Sequence, residues 1–218
     1  MAYQSKYYDA FREILMRVIF EIKWRGLFRE FYARKPFTYI FKREGPNQFL
    51  SASYLVDWNV DTVVAAAGVL IQEDKLDSII MAVKYVAKQI RYVRGTHRLV
   101  DWEDRTASKN LERGWGNCAD LAISSAALLR AMNIPARLVE GKALDMETGE
   151  KYAHAWIEVY YNGQWLGIDP TNWGDLDKEF ISESVQDLYR ENYDVHSRQV
   201  DEDSDDIFYL TRRAWFDW

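Results

Sequence analysis

Two predicted strands joined by a tight turn are the most constraining pattern in this chain of 218 residues. The segment 154–161 is rich in aromatic and β-branched residues, and 164–169 returns with a similar pattern. The dipeptide Asn162-Gly163 between them is the preferred one for a two-residue type I′ hairpin turn. Such a turn fixes the register. His154 and Asp169 then lie diagonally on one face, with Cα atoms about 7–8 Å apart, so an imidazole can reach a carboxylate.

The two faces of the predicted hairpin differ in chemistry. One face is uniformly apolar and is expected to belong to the core. The other face carries the residues His154, Trp156, Glu158, Tyr160, Trp165 and Asp169. We expect this second face to be covered by the helix that carries the only cysteine of the chain.

That cysteine, Cys118, lies where a turn is predicted to lead into a helix about four turns long. Asn117 is a favourable N-cap, and Asp120 in the first turn is expected to cap the helix rather than to react. A helix start offers unpaired N–H groups and the positive end of the dipole, which favour the nucleophilic thiolate. An isolated buried cysteine is most often a small apolar residue. A cysteine followed by a histidine and an aspartate on one hairpin face instead suggests a catalytic triad.

Four sequence blocks follow one another along the chain. They are Gly-Asn-Cys-Ala-Asp-Leu-Ala at 116–122, Ala-Leu-Leu-Arg-Ala-Met-Asn-Ile-Pro-Ala-Arg at 127–137, His-Ala-Trp-Ile-Glu-Val at 154–159 and Asp-Pro-Thr at 169–171. In order and character they resemble the core of the transglutaminase-like superfamily, over about 90–173. The resemblance implies Cys118 as nucleophile, His154 as general base and acid, and Asp169 as the group that orients the imidazole. It also implies an α+β, papain-like fold in which the catalytic helix packs on an antiparallel sheet.

Four aromatic residues are candidates for oxyanion or substrate contacts. An oxyanion needs at least two hydrogen-bond donors, and the backbone N–H of Cys118 is a natural first one. Family members supply the second donor from an upstream residue, and the spacing does not choose between Tyr92 and Trp102. Trp115 is expected on the rim of the cleft, where an indole can pack against a peptide. Trp156 is a further candidate for a substrate contact, although packing is the commoner role for such a residue.

Length and composition predict one α+β domain with an N-terminal helical elaboration. A chain of 218 residues, 48% of them hydrophobic and 28% charged, is long enough to bury a sizeable core and is typical of globular proteins. We divide it into a helical elaboration at 1–60, packed on the core and beginning with a helix over 3–34, and a catalytic domain at 61–218. Further expectations are helices near 60–72 and 76–91, a mostly irregular stretch over 92–115, a strand over 136–144 and a C-terminal stretch that docks on the body.

Charge and composition exclude several classes of site. A sequence pI of about 5.2 and the lack of a basic motif argue against nucleic-acid binding. One cysteine and three scattered histidines do not make a zinc site. The acidic run 201–206 departs from a calcium loop, because Asp206 replaces the required glycine and Arg212 the required glutamate. We expect neither a metal ion nor a cofactor.

No segment predicts stable membrane insertion. The apolar run 62–71 is shorter than the roughly 20 residues that a span needs, and we see no secretory signal. The N-terminal helix is amphipathic and basic, as membrane-surface helices are, but Asp9, Glu13 and Glu21 interrupt its basic face and favour packing within the protein. A single cysteine requires no oxidising compartment. We expect a cytoplasmic protein, and the sequence leaves its oligomeric state open.

The resemblance implies acyl-transfer chemistry. The favoured function is a transglutaminase-like cysteine hydrolase, a thiol protease or amidase, that cleaves an amide or peptide bond in a protein or peptide through a thioester acyl-enzyme. One alternative is an acyltransferase, either a protein transglutaminase or an enzyme like the arylamine acetyltransferases, because the chemistry is shared up to the thioester. Another is a non-catalytic binding or assembly module. Retention of all three catalytic residue types counts against that module.

Overall fold

The computed structural model describes residues 45–94, 99–172, 176–198, 200 and 202–203. The predicted helix over 3–34 lies outside these ranges. The division of the chain at residue 60 therefore stays a prediction. In the described part, helices and an antiparallel sheet form the α+β architecture that the sequence predicts.

The described residues form five α-helices and six strands. The α-helices are α1 (Asp61–Gly68), α2 (Lys75–Gln89), α3 (Ala107–Arg113), α4 (Cys118–Ala131) and α5 (Glu183–Asn192). The strands are β1 (Arg91–Tyr92), β2 (Trp115–Gly116), β3 (Ala136–Leu144), β4 (Lys151–Tyr161), β5 (Gln164–Ile168) and β6 (Tyr193–Ser197). Short 3₁₀ turns lie at Pro46–Leu50, Trp102–Asp104 and Lys178–Ile181. No helix within the described ranges combines the length and apolar character needed to cross a bilayer.

The main sheet has four antiparallel strands in the order β5-β4-β3-β6. Its β4–β5 hairpin has the predicted register, with Tyr161 facing Gln164 across the Asn162-Gly163 turn. Both turn residues have positive φ angles, 48° and 88°, as a type I′ turn requires. The predicted register is confirmed. Strands β1 and β2 form a separate parallel pair in which Tyr92 faces Gly116.

Helix α4 begins and ends where its sequence predicts. The Asn117 side chain accepts hydrogen bonds from the N–H groups of Ala119 and Asp120, at 3.0 and 3.4 Å. The Asp120 carboxylate accepts one from the N–H of Asn117 at 2.8 Å, which completes a capping box. At the other end Asn133 adopts a left-handed φ of 58°, and Pro135 follows. Local sequence signals thus fix both ends of the helix.

Helix α4 packs on the apolar face of the hairpin, and the expectation that it covers the polar face is wrong. Its buried side chains share one hydrophobic core with those of the apolar hairpin face, such as Ile157. The opposite face, at Trp156 and Glu158, is covered by Tyr189 of α5 and Tyr193 of β6. The apolar helix takes the apolar face because burial of both surfaces is favourable. A later segment of the chain supplies the second layer.

Two stretches contain structure that the sequence reading left out. The stretch 92–115, expected to be mostly irregular, contains α3, which Thr106 caps and Gly114 ends with a φ of 70°. The polar C-terminal part contains α5 and β6, with Ser182 as the N-cap of α5. The expected helices near 60–72 and 76–91 and the expected strand over 136–144 are present as α1, α2 and β3.

Glu202 ties the C-terminal part of the described chain to the body of the domain. Its carboxylate accepts hydrogen bonds from the buried Arg130 of α4 at 2.7 and 2.6 Å, and from the hydroxyl of Ser53 at 2.8 Å. Its carbonyl accepts one from the N–H of Leu55 at 3.0 Å. The chain thus contacts the body of the domain at residue 202, while the expected docking of the aromatic end at 207–218 lies outside the described residues.

Candidate active site

Cys118 is the first residue of α4 and is 5% exposed. The turn before it folds back closely on the helix. A Cβ atom on Gly116 would lie 2.5 Å from the Cβ of Asp120, so the turn requires glycine at this position. Together with the Asn117 cap, this close approach sets the position of the thiol at the helix start.

A buried ion pair between Arg105 and Asp120 stabilises the turn before Cys118. Arg105, 1% exposed, donates from Nε and Nη2 to the two carboxylate oxygens of Asp120, both at 2.8 Å. Its Nη2 also donates to Oδ1 of Asn117 at 2.8 Å, and Arg113 places a second guanidinium 3.4 Å from Asp120. Asp120 therefore has the capping role predicted for it. Arg105 is an anchor that sequence reasoning missed.

His154 and Asp169 meet as the hairpin register predicts. His154 Nε2 lies 2.7 Å from Asp169 Oδ2, and both side chains are buried. The other carboxylate oxygen accepts from the N–H and the hydroxyl of Thr171, at 2.9 and 2.7 Å. Oδ2 also accepts from Asn172 Nδ2 at 2.9 Å and from the Tyr193 hydroxyl at 2.8 Å. The carboxylate is therefore held on both oxygens.

The charges of Asp169 and Cys118 both act on His154. Burial alone would lower the pKa of His154, but attraction to the Asp169 carboxylate, then to Cys118, and the hydrogen bond with Asp169 outweigh it. The pKa of His154 is therefore raised well above its usual 6.5. For Asp169, burial alone would raise the pKa. The charge of His154 and the hydrogen bonds from His154 and Thr171 have the opposite and larger effect, so the pKa of Asp169 is lowered. These directions favour an imidazolium beside the Asp169 carboxylate.

We expect His154 to stay protonated well above pH 6.5 in an NMR titration of its ring. Because Asp169 contributes the larger attraction, Asp169→Asn should lower the midpoint more than Cys118→Ser does. Because the pKa of His154 is higher in the folded state than the usual 6.5, protonation of His154 stabilises the fold. This stabilisation is fully present below pH 6.5 and is lost as the pH rises through the folded-state pKa. A His154 midpoint at or below 6.5, or one insensitive to Asp169→Asn, would contradict this arrangement.

Tyr92 is placed beside the thiol. Tyr92 pairs with Gly116 in the β1–β2 pair, and Gly116 precedes Cys118 by two residues. The side chain of Tyr92 is nearly half exposed. Burial of its hydroxyl, followed by the charge of Cys118, raises the pKa of Tyr92. The phenol therefore keeps its proton at neutral pH.

The other three aromatic candidates are placed differently. Trp115 is partly exposed on β2, and the Arg113 guanidinium lies 5.1 Å from its ring centroid. Trp156 is fully buried, its Nε1 donates to the Tyr189 hydroxyl, and its ring stacks behind His154 with centroids 6.2 Å apart. The side chain of Trp102 lies outside the described part of the structure. The arrangement thus brings Tyr92 close to Cys118 and leaves Trp156 as a wall behind the histidine.

A small cavity borders the carboxylate on the side of α5. Its volume is about 160 Å³, and it is lined by Asp169, Val185, Leu188, Tyr189, Asn192 and Tyr193. Asp169 itself is only 1% exposed. Across the described ranges, no group of three or more His, Cys, Asp or Glu side chains is arranged to hold a metal ion.

Comparison with known proteins places this geometry in a family. The profile of the transglutaminase-like superfamily matches residues 65–170. An uncharacterised protein of Mycobacterium leprae is 30% identical over 134 residues, which are 58% of this chain and 46% of that protein. This chain therefore spans less than half the length of that curated relative.

Two solved structures are similar to parts of this chain. A candidate cysteine protease from Cytophaga hutchinsonii superposes with a TM-score of 0.50 at 23% identity, over 62% of this chain and 45% of its own. The periplasmic domain of TgpA from Pseudomonas aeruginosa gives a TM-score of 0.44 at 21% identity, over 67% and 51% of the two chains.

The match ends one residue after Asp169, so it contains Cys118, His154 and Asp169 but neither α5 nor β6. The likeness to the Cytophaga hutchinsonii structure supports the fold. The predicted papain-like α+β fold, with a helix on an antiparallel sheet, is confirmed. The segment 65–170 of this chain thus matches the core of the transglutaminase-like superfamily.

Proposed function

We propose that this protein is a cysteine hydrolase that cleaves an amide or peptide bond through a Cys118-His154-Asp169 triad and a thioester acyl-enzyme. The observation that carries the proposal is the buried 2.7 Å contact of His154 with Asp169, next to a cysteine at a helix start. The superfamily match of the segment that contains all three residues supports it.

The first half-reaction forms the thioester. His154 takes the thiol proton, and the Cys118 sulfur attacks the carbonyl carbon of the substrate, whose oxygen becomes an oxyanion. When the oxyanion collapses, the C–N bond breaks and the imidazolium gives its proton to the leaving amine. Asp169 engages Nε2 of the ring, so Nδ1 is the nitrogen that exchanges the proton with Cys118.

The second half-reaction returns the free enzyme. His154 removes a proton from water as the water oxygen attacks the thioester carbon, and the C–S bond then breaks to release a carboxylic acid. The thiolate of Cys118 is regenerated beside the imidazolium. An amine in place of water would give a new amide, which is the transferase outcome.

We assign the oxyanion to two donors. Cys118 is the first residue of α4, and the N–H of that position has no acceptor within the helix. The Tyr92 hydroxyl is our second donor, because it is close to Cys118 and its raised pKa keeps it protonated. Preorganised donors of this kind stabilise charge that develops in the transition state.

A protein or peptide is the proposed substrate. Tyr92 lies on β1 and Trp115 on β2, the strand that leads to Cys118, and the two strands are paired. Both rings are partly exposed. Partly exposed aromatic rings next to a nucleophile suit an extended peptide that packs along them. Trp115 is therefore proposed as a rim contact.

The experiment that tests the function is mass spectrometry of the acid-quenched enzyme. With activated peptide esters and amides as substrates, we expect an acyl adduct on Cys118 that decays to free acid, and no adduct on Cys118→Ala. Decay that instead yields an amide when cadaverine is added would favour an acyltransferase. A folded protein that forms no adduct with either substrate class would favour a binding module.

A further inference from the structure

We propose that Tyr193, from the strand that follows the matched family segment, is a positioning residue that fixes the Asp169 carboxylate and separates it from the neighbouring cavity. This inference rests on the proposed function, because it assigns Tyr193 to the same triad. The residue lies 23 positions beyond the end of the family match at 170.

The hydroxyl of Tyr193 and the ring of His154 contact the same carboxylate oxygen of Asp169. The hydroxyl donates to Asp169 Oδ2 at 2.8 Å, and His154 Nε2 lies 2.7 Å from the same oxygen. Asn172 Nδ2 donates to that oxygen at 2.9 Å and to the Tyr193 hydroxyl at 3.3 Å. Tyr193 and Asn172 thus hold the oxygen that His154 Nε2 contacts, and its position determines where the imidazole lies. Hydrogen bonds to a charged acceptor are among the strong ones in proteins.

Aromatic packing holds the Tyr193 ring in place. Its centroid lies 5.0 Å from the Trp156 ring at an interplanar angle of 66°, 5.0 Å from the Tyr189 ring and 6.2 Å from the His154 ring. Edge and tilted contacts at these distances are favourable. The hydroxyl therefore cannot leave Asp169 without disturbing the wall behind His154.

A glycine in β3 lets β6 approach closely enough for this contact. A Cβ atom on Gly141 would lie 2.0 Å from the carbonyl oxygen of Asp194 and 2.8 Å from the Trp156 ring. Gly141 pairs with His154 on one side and with Val195 of β6 on the other. The backbone of β6 thus occupies the space of a missing side chain, which brings Tyr193 to the carboxylate.

The cavity explains why the carboxylate needs a cover. At about 160 Å³ it has room for water, and both Asp169 and Tyr193 line it. Water that reached Oδ2 would compete with His154 for the carboxylate. Burial and then the charge of Asp169 raise the pKa of Tyr193, so the hydroxyl remains a donor at neutral pH. Tyr193 can therefore keep Asp169 ionised, oriented and dry.

Tyr193→Phe tests the proposal with Tyr189→Phe as the matched control. Tyr193→Phe keeps the packed ring and removes the hydrogen bond to Asp169. Tyr189→Phe removes a hydroxyl from the same segment that bonds Trp156 and Glu158 instead. We expect Tyr193→Phe to lower kcat for acyl-enzyme formation by about tenfold, the value of one hydrogen bond to a charged group, and to leave KM within about twofold. We expect Tyr189→Phe to keep kcat within about twofold of wild type.

A second readout does not depend on activity. The proton on His154 Nε2 should exchange with water about tenfold faster in Tyr193→Phe than in wild type, because the carboxylate that protects it becomes accessible from the cavity. An unchanged exchange rate would overturn the proposal, as would equal losses of kcat in both variants. If wild type forms no acyl-enzyme, the proposed function fails, while the exchange comparison still decides the role of Tyr193.

Discussion

His154→Ala is expected to lower the rate of acyl-enzyme formation by at least about a thousandfold, because it removes both the base for the thiol and the acid for the leaving amine. Asp169→Ala should remove most of the same activity, since the imidazole loses its 2.7 Å partner and the charge that raises its pKa. Both rates can be measured by rapid quench and intact mass. The exposed His196→Ala variant is the control and should react like wild type.

The double variant of His154 and Asp169 sharpens this prediction. Residues that act as one unit give strongly non-additive losses. We therefore expect the double variant to be little worse than His154→Ala alone. Losses that multiply would show that the two side chains contribute independently, and the triad assignment would then be wrong.

Arg105→Met is expected to destabilise the domain by about 3–5 kcal/mol, because the buried carboxylate of Asp120 loses its two 2.8 Å hydrogen bonds from Arg105 and keeps only the Arg113 guanidinium at 3.4 Å. The free energy of unfolding from urea titrations is the measurement. Replacing Asp120 by Asn in the Arg105→Met background should recover part of the loss, since that buried charge is then gone.

An exposed ion pair in the same region provides the control for this effect. Lys109 and Asp104 are 2.6 Å apart, with 48% and 60% of their side chains exposed. Because water screens such a pair, Lys109→Met should leave the urea midpoint nearly unchanged. Equal effects of Arg105→Met and Lys109→Met would mean that burial does not determine the strength of the Arg105–Asp120 pair.

Local signals made part of the structure predictable. The Asn162-Gly163 dipeptide determines a turn with one register, and that register alone brings His154 to Asp169. The two ends of helix α4 were equally predictable, because the capping side chain of Asn117 and the left-handed conformation of Asn133 depend on only a few neighbouring residues. Elements with strong short-range signals are the ones that sequence reasoning recovers.

Contacts between distant segments were not predictable in the same way. The pairing of Tyr92 with Gly116 involves strands of two residues, which are too short to leave a periodic pattern. Arg105 meets Asp120 only once α3 and α4 have packed, and no local rule links them. The same holds for Tyr193, whose partner is set by the close approach of β6 to β3.

Helix α5 is a different case, because its signal was present in the sequence. Ser182 is a good N-cap, and Val185, Leu188 and Tyr189 follow at helical spacing. The charged residues around them obscure this periodicity, and no helix is predicted here. The wrong face for α4 has a related cause. The prediction lacks the layer built from α5 and β6, so it assigns α4 to the surface that this layer covers.

The contact of Ser53 with Glu202 joins residues that are 149 positions apart in sequence. Loops of this length cost entropy to close, and such contacts slow folding. Until residue 202 leaves the ribosome, the guanidinium of Arg130 has no Glu202 carboxylate, and burying it under the first elements would be costly. Folding during synthesis is therefore expected to stall short of the native core. We expect the segment around Glu202 to complete that core.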